Sequence, residues 1–279
     1  MNVYENIAAV YDKWFSSDPA YNGSGLFYVS ALSQMRSGSY LELGIGTGRI
    51  SLEAVRSAPI TVTGIDISPQ MLAVCRERYD AMSEKKGTLC LCEGDAANLA
   101  YHEEFEGAIM PYHAVAHFLT EEALNSLFRG VFSALKPGGW FLMDDFSLNQ
   151  DTIPEWVNTD EPIIEYQDPE VTISDRFQCG FNRNLMHIQL FMNNALHTSL
   201  TVRWRETGEI KAHAEQAGFE ILSLMGDFDG SVWTEQSPEQ IWFFRKPGNS
   251  GNVIQLPLLD VKYRMASPVQ VLRSKTSLS

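Results

Sequence analysis

The stretch Tyr40-Leu-Glu-Leu-Gly-Ile-Gly-Thr-Gly-Arg49 constrains the fold more than any other part of the chain, because it joins an apolar run to three closely spaced glycines. The run from Ser39 to Leu43 predicts a short strand, and the residues after Arg49 predict a helix. Glycine tolerates positive φ and lets the backbone approach a ligand closely. The stretch therefore predicts a nucleotide-binding crevice at the carboxyl end of a parallel strand, where helix amides can receive a polar or anionic group.

Two acids accompany the glycines. Glu42 precedes the first glycine by two residues, and Thr61 to Asp66 predicts a second strand whose final acid can accept hydrogen bonds from ribose hydroxyls. The spacing G-x-G-x-G brings the third glycine one residue earlier than in the dinucleotide fingerprint. In these features the chain resembles the class I S-adenosylmethionine-dependent methyltransferases, whose first motif is E/D-x-G-x-G-x-G.

The resemblance implies further cofactor contacts. An acid followed by a small residue meets the adenine in this family, and Asp95-Ala96 after the predicted strand Thr88 to Cys92 matches it, although a turn-forming aspartate would look the same. Tyr11-Asp12 looks like the Tyr-Asp pair on the family's N-terminal lid, although a simple packing helix would also fit. The cofactor-binding residues expected in this way are Tyr11, Glu42, Gly44, Gly46, Thr47, Gly48, Asp66, Ile67, Met71, Asp95, Ala96 and Pro111.

The reacting face of the family lies after the fourth strand, predicted here at Gly107 to Met110 and followed by Tyr112, His113 and His117. The two histidines are four residues apart, so on a helix they would share one face. We expect His117 to act as the base, with His113 or Tyr112 holding the acceptor. Two alternatives stay open: both histidines are polar packing residues, or they bind a metal. We expect no resident metal.

A metal site would combine these histidines with Asp144 or Asp145. No zinc-type cluster of cysteine and histidine is present in the sequence.

The expected fold class is α/β, a doubly wound seven-stranded sheet with an antiparallel β cap insertion. The family's strand order is 3-2-1-4-5-7-6, with the last strand antiparallel. We expect an N-terminal helical lid at 1–36, a methyltransferase domain at 37–247 with its cap at about 146–204, and a C-terminal tail at 248–279. In detail, 19–25 is predicted as a loop, 26–35 as a helix, and Gly87 as the end of the helix that begins near Ser68.

The charge and hydropathy of the chain restrict the classes of partner that it is expected to bind. A formal net charge of −14 argues against nucleic acid or an anionic membrane as the main partner, since both need a basic surface. There is no apolar run of about 18 residues that would span a bilayer and no signal-peptide pattern. The cysteines form no C-x-x-C pair, so we expect a cytoplasmic protein.

The function implied by the resemblance is methyl transfer from S-adenosylmethionine to an oxygen or nitrogen, with carbon also possible, of a small organic molecule, in the manner of secondary metabolism. A homodimer is also expected. A nicotinamide-dependent oxidoreductase is the first alternative, because Asp66 lies at a plausible distance from the glycines. The second is a cofactor-binding partner subunit that has lost catalysis.

Overall fold

The computed structural model of the protein describes residues 7–15, 19–148, 153, 157–248 and 257. The helices in these residues are α1 (Tyr11–Phe15), α2 (Pro19–Ser33), α3 (Arg49–Ser57), α4 (Pro69–Ala81), α5 (Glu121–Ala134) and α6 (Thr207–Ala217). The strands are β1 (Ser39–Leu43), β2 (Thr61–Asp66), β3 (Thr88–Glu93), β4 (Phe105–Met110), β5 (Leu135–Phe146), β6 (Ile163–Gln167), β7 (Thr172–Gly180), β8 (Leu185–Met192), β9 (Ala195–Arg203), β10 (Glu220–Met225) and β11 (Glu239–Arg245).

Seven of these strands form one sheet in the order β3-β2-β1-β4-β5-β11-β10. The pairs from β3 to β5 are all parallel, and β11 runs antiparallel to both β5 and β10. This confirms the predicted order 3-2-1-4-5-7-6 with an antiparallel last strand. The carboxyl ends of β1, β2, β3 and β4 therefore lie side by side at one edge of the sheet.

Helices cover both faces of the sheet. Trp140 and Leu142 of β5 belong to the apolar cluster beneath α2 and α3, and Phe141 and Met143 belong to the cluster beneath α5 and α6. A strand buried on both faces has a continuous apolar sequence. This explains the four consecutive apolar residues 140–143 in β5. Helix α5 turns an apolar stripe toward the sheet, since Leu124, Leu127, Phe128 and Val131 are buried at helical spacing.

The remaining strands form a separate antiparallel sheet in the order β6-β7-β8-β9, which we call the cap. Each strand pairs with the next one in sequence. The inner face of the cap packs on the N-terminal segment, in a cluster that joins Ile7, Ala8 and Trp14 to Ile173, Ile188 and Val202. The expected cap insertion is thus confirmed, and we call residues 7–15 the lid.

Two local predictions are wrong. The predicted loop at 19–25 is helical, since α2 begins at Pro19, where the missing proline N–H is not needed. Helix α4 ends at Ala81, before Gly87. Gly87 serves close packing instead, because a Cβ there would lie 2.2 Å from the carbonyl oxygen of Ile60.

Some predictions fall outside the described residues. Residues 1–6 of the predicted N-terminal segment and nearly all of the tail at 248–279 are among them. The domain limits at 36 and 247 stay predictions. In the part of the chain that the structure describes, no helix is both long enough and apolar enough to cross a bilayer.

Candidate active site

A cavity of about 880 Å³ opens at the carboxyl ends of β1 to β4, between the sheet, the lid and the cap. This volume lies within the range of ligand sites that bind drug-sized molecules. Its lining residues include Ile45, Ile50, Ile65, Ile67, Met71, Gly94, Ala96, Ala97, Met110, Pro111, Phe118, Leu119, Thr120, Ala123, His187, Ser199, Leu200 and Thr201.

The glycine turn after β1 is fixed by an acid from the next strand. Gly44 and Gly46 have φ of 72° and 56°, which favours glycine at both positions. The Gly46 N–H donates to Asp66 Oδ2 across 2.8 Å, and the Ser68 N–H donates to Asp66 Oδ1 at the same distance. Burial raises the pKa of Asp66, and these backbone N–H groups oppose that shift. Asp66 lines the cavity, so its carboxylate holds the turn and also faces any ligand.

The third glycine has a packing role. Gly48 has φ of 85° and stands before α3, but it does not line the cavity. A Cβ at this position would lie 2.4 Å from Cys75 Sγ, so the turn can pack against α4 only with glycine there. Gly48 therefore packs against the neighbouring helix, and its expected contact with the cofactor stays a prediction.

Two further acids lie on the cavity wall. Glu42 is buried and accepts a hydrogen bond from the Ser51 hydroxyl. Burial raises the pKa of Glu42 to about 7, although Ser51 and Arg49 act against the shift. Asp95 is exposed, and its Oδ1 accepts from the Ala97 N–H across 2.8 Å. Asp95 thus shapes a turn, as the alternative interpretation held, while it also lines the cavity.

The lid is attached to the glycine turn through Asp12. Its Oδ1 accepts from the Tyr21 hydroxyl at 2.7 Å and from Thr47 Oγ1 at 2.9 Å, and its carboxylate pairs with Arg78 of α4. Tyr11, the neighbour of Asp12, lines the cavity. The Tyr-Asp pair therefore places one side chain on the ligand site and the other on the elements around it.

The segment after β4 has a strained start. Tyr112 and His113 both have φ of 55°, a left-handed conformation that non-glycine residues seldom adopt. The carboxylate of Asp144, at the end of β5, accepts both of their amide N–H groups, at 2.9 and 2.7 Å, and also accepts from the Tyr28 hydroxyl. A short 3₁₀ turn then spans Ala114–His117. Asp144 thus holds this segment against the sheet.

The two histidines do not share a face, which corrects the sequence prediction. His117 lines the cavity, whereas His113 is buried, stacks on Phe146 and joins its Nε2 to Glu239 Oε2 across 2.7 Å. The expectation assumed an α-helix, but the left-handed residue and the 3₁₀ turn send the side chains in different directions. Of the three predicted acceptor-side residues, Tyr112 and His117 face the cavity and His113 does not.

His113 and His117 also differ in protonation. Burial lowers the pKa of His113, but the carboxylates of Glu239, Asp144 and Asp145 outweigh it and raise the pKa to about 9. The protein packed around His117, together with the nearby His113, lowers the pKa of His117. Because the His117 side chain is exposed to the open cavity, water there reduces this shift. His117 is neutral at pH 7 in either case.

The buried histidine belongs to a group that could hold a metal ion. Three possible ligand atoms lie within 4.8 Å of one another, one each from His113, Asp144 and Glu239. In the structure these atoms bond to each other and to the hydroxyl and amide groups named above. Asp145 is engaged separately, since its Oδ2 accepts from the Arg205 N–H. The cavity lining includes none of these four side chains, namely His113, Asp144, Asp145 and Glu239.

Sequence reasoning missed several cavity residues. Arg49 follows the glycine turn directly, and its position beside the motif was the signal that could have found it. Tyr21 lies in the stretch predicted as a loop. His187, Ser199 and Thr201 come from the cap, where no motif indicates which strand residues approach the sheet.

Comparisons with known proteins agree with this geometry. A family model described as a methyltransferase domain matches residues 41–139. The chain is 24% identical to a protein of Geobacillus sp. (strain WCH70) assigned as a methyltransferase, over 87% of this chain and 99% of that protein. It is 26% identical to the cypemycin N-terminal methyltransferase of Streptomyces sp, over 78% of this chain and 88% of that protein.

Solved structures share the fold. The CcbJ methyltransferase from Streptomyces caelestis superposes with a TM-score of 0.70 at 19% identity, over 88% of this chain and 99% of that one. The amino pentose methyltransferase CalS10 from Micromonospora echinaspora, involved in calicheamicin biosynthesis, has a TM-score of 0.58 at 18% identity, over 88% and 97%. The sugar N-methyltransferase KedS8 from Streptoalloteichus sp ATCC 53650 has a TM-score of 0.58 at 16% identity, over 89% and 94%. The matched methyltransferase domain and these relatives, together with the shared fold, indicate a class I S-adenosylmethionine-dependent methyltransferase.

Proposed function

We propose that this methyltransferase acts on an amine nitrogen of a small organic molecule, which His117 holds in the cavity. The observation that carries the proposal is the position of His117, a neutral imidazole on the cavity wall directly after β4. The names of three similar proteins support nitrogen as the acceptor atom, since they describe an N-terminal, an amino pentose and a sugar N-methyltransferase.

The residues at the sheet edge fit the cofactor. The glycine turn leaves open space where a side chain would stand, because a Cβ added to Gly46 would have no neighbouring atom nearer than 4.0 Å. Asp66 and Asp95 supply acceptors for ribose hydroxyls and for an exocyclic amine. Ile67 is 59% exposed in the cavity, where an apolar side chain can cover a flat base. S-adenosylmethionine, bound there, supplies an electrophilic methyl group for in-line displacement.

His117 would orient the acceptor. A neutral imidazole nitrogen can accept a hydrogen bond from an amine N–H, which directs the nitrogen lone pair away from the histidine and into the cavity. An amine that enters as an ammonium must first lose a proton, which the neutral imidazole of His117 can accept. No covalent enzyme intermediate is needed for this chemistry.

The aromatic groups around the cavity would exclude water. Tyr112 makes edge contacts with Phe15 and with Tyr21, with ring centroids 5.1 and 4.9 Å apart. Tyr11 contacts both Phe15 and Tyr21 in the same way. This cluster of four rings joins the lid to the segment after β4, so a closed lid would keep solvent from the reacting atoms.

The test is a methyl-transfer assay on paired acceptors that differ only in carrying an amine or a hydroxyl. We expect the amine member to be methylated. His117→Ala should lower kcat by roughly 10² to 10⁴ while the affinity for S-adenosylhomocysteine stays the same. His102→Ala, at an exposed histidine outside the cavity, is the matched control. Methylation of the hydroxyl members alone would contradict the proposal.

Two outcomes refine the role of His117. Full activity of His117→Ala would leave a mechanism of proximity alone. For the wild type, activity should fall as pH drops through the His117 pKa, which lies below the ordinary value of 6.5.

The names of the similar proteins also support a place in secondary metabolism. The cytoplasmic location and the homodimer stay predictions.

A further inference from the structure

The cavity wall carries more acidic than basic side chains. Three acids line it, namely Glu42, Asp66 and Asp95. Among the cavity-lining residues that the structure describes, Arg49 is the only arginine or lysine. S-adenosylmethionine carries one carboxylate, at its amino-acid end, and its other charged groups are cations. The single permanent cation of the wall and the single anionic group of the ligand are therefore natural partners.

Arg49 occupies a position that its neighbours shape. It is the first residue of α3, and its Nη1 donates to the carbonyl oxygen of Tyr21. Its guanidinium carbon lies 3.8 Å from the centroid of the Tyr21 ring, a cation–π contact. On the other side is Gly25 of α2, where a Cβ would come within 2.2 Å of Arg49 Nη1. A glycine in the middle of a helix thus leaves room for this guanidinium.

The order of the strands places Arg49 at one end of the ligand. Strands β3, β2 and β1 are neighbours in the sheet, and adjacent strands lie about 4.8 Å apart. Asp95 follows β3, Asp66 ends β2, and the glycine turn with Arg49 follows β1. A ligand laid across these ends with its adenine at Asp95 and its ribose at Asp66 brings its amino-acid end to Arg49.

We propose that Arg49 binds the carboxylate of the cofactor's amino-acid end, assisted by the N-terminus of α3. A guanidinium can bind a carboxylate through two parallel hydrogen bonds, and a helix N-terminus attracts an anion. The proposal rests on the cofactor and not on the acceptor, so it stands or falls separately from amine methylation.

The experiment measures binding to the full-length protein by calorimetry with two probes. One is S-adenosylhomocysteine, and the other is its decarboxylated form, which keeps the amine and lacks only the carboxylate. We expect Arg49→Gln to weaken S-adenosylhomocysteine about ten- to a hundredfold, as the loss of hydrogen bonds to a charged group does. The same substitution should change the dissociation constant of the decarboxylated probe less than about threefold. Arg56→Gln, on the exposed side of the same helix, is the control.

A second variant moves the guanidinium without removing its charge. Gly25→Ala pushes against the flexible end of Arg49, so it should weaken S-adenosylhomocysteine and have no further effect once Arg49 is glutamine. An equal loss for both probes would overturn the proposal, because it would make Arg49 a structural residue. Unchanged affinity for S-adenosylhomocysteine with a raised KM for the acceptor would also overturn it, since Arg49 would then bind the acceptor.

Discussion

The indole Nε1–H of Trp14 donates to Asp175 Oδ2 across 2.6 Å, and the two residues are 161 positions apart in sequence. Both are buried, at 3% and 1% exposure. The bond joins the lid to strand β7 of the cap, and Trp14 also belongs to the apolar cluster that the two segments share. Lid and cap therefore form one cover above the cavity, although the lid precedes the methyltransferase domain in sequence and the cap is inserted within it.

Trp14→Phe should loosen this cover. The substitution keeps an aromatic ring but leaves the buried Asp175 carboxylate without its indole donor, which should cost about 1–3 kcal/mol in the free energy of unfolding. Urea unfolding measures the loss, and hydrogen exchange at residues 7–15 should become faster. Lys13→Gln, which removes an exposed ion pair from the same helix, should change little. Equal stability of the two variants would show that the bond does not hold the cover.

Asp66→Ala should weaken cofactor binding in two ways. It removes the acceptors for ribose and also frees the Gly46 N–H, which shapes the glycine turn. Losing hydrogen bonds to a charged acceptor costs about 1.5–3 kcal/mol each, as an upper bound when water can replace it. We expect a clear rise in the dissociation constant of S-adenosylhomocysteine with the protein still folded. An unchanged constant would refute the assignment of Asp66.

Gly46→Val should be more damaging than Asp66→Ala. The φ of 56° at Gly46 is unfavourable for any residue with a Cβ, and a branched side chain would also fill the space beside the turn. Calorimetry with S-adenosylhomocysteine should detect no binding at concentrations that saturate the wild type. Circular dichroism shows whether the sheet still forms. Binding that remains within a few-fold of the wild type would mean that the turn can adjust its backbone.

The buried pair of His113 and Glu239 should make stability depend on pH. The pKa of His113 rises to about 9 in the folded protein, against about 6.5 in the unfolded chain. Between these values the folded state binds the extra proton, so the stability that His113 contributes is greatest below about 6.5 and is lost as pH rises through 9. Glu239→Gln removes the carboxylate that raises this pKa and should flatten the fall. Urea unfolding at several pH values tests it, and a slope equal to that of the wild type would contradict it.

Chelators should leave activity unchanged. The ligand atoms of His113, Asp144 and Glu239 are close enough for a metal ion, but they already bond to one another, to Tyr28 and to backbone amides. Dialysis against a chelator followed by the methyl-transfer assay is the measurement. A loss of activity that divalent cations restore would instead establish the metal alternative.

The large sheet and the glycine turn could be predicted because their signals are local. The limits of β1 and β2 agree with the prediction, since each strand is an apolar run bounded by glycine, polar residues or an acid. The cap was also predictable as a run of strands. On β8 the buried residues alternate with half-buried ones, and the apolar residues Met186, Ile188 and Leu190 show this alternation in the sequence.

The geometry around the histidines could not be predicted, because it depends on distant residues. The left-handed backbone at Tyr112 and His113 is held by the Asp144 carboxylate, more than thirty positions further along the chain. Nothing in the local pattern of alanine, valine and histidine indicates this bond. The loop prediction for 19–25 failed for a similar reason, since Gly25 lies within α2 and accommodates the side chain of Arg49.

The consecutive pairing of β6, β7, β8 and β9 makes the cap look like a cassette that protein engineers could transplant between related enzymes to change their substrates. The Trp14–Asp175 bond and the shared apolar cluster argue against moving it by itself. A chimera that exchanges only residues 163–203 would place a foreign sheet on a lid selected for another partner. The unit to exchange is instead a pair of segments, the lid with helix α1 and the cap sheet that packs on it.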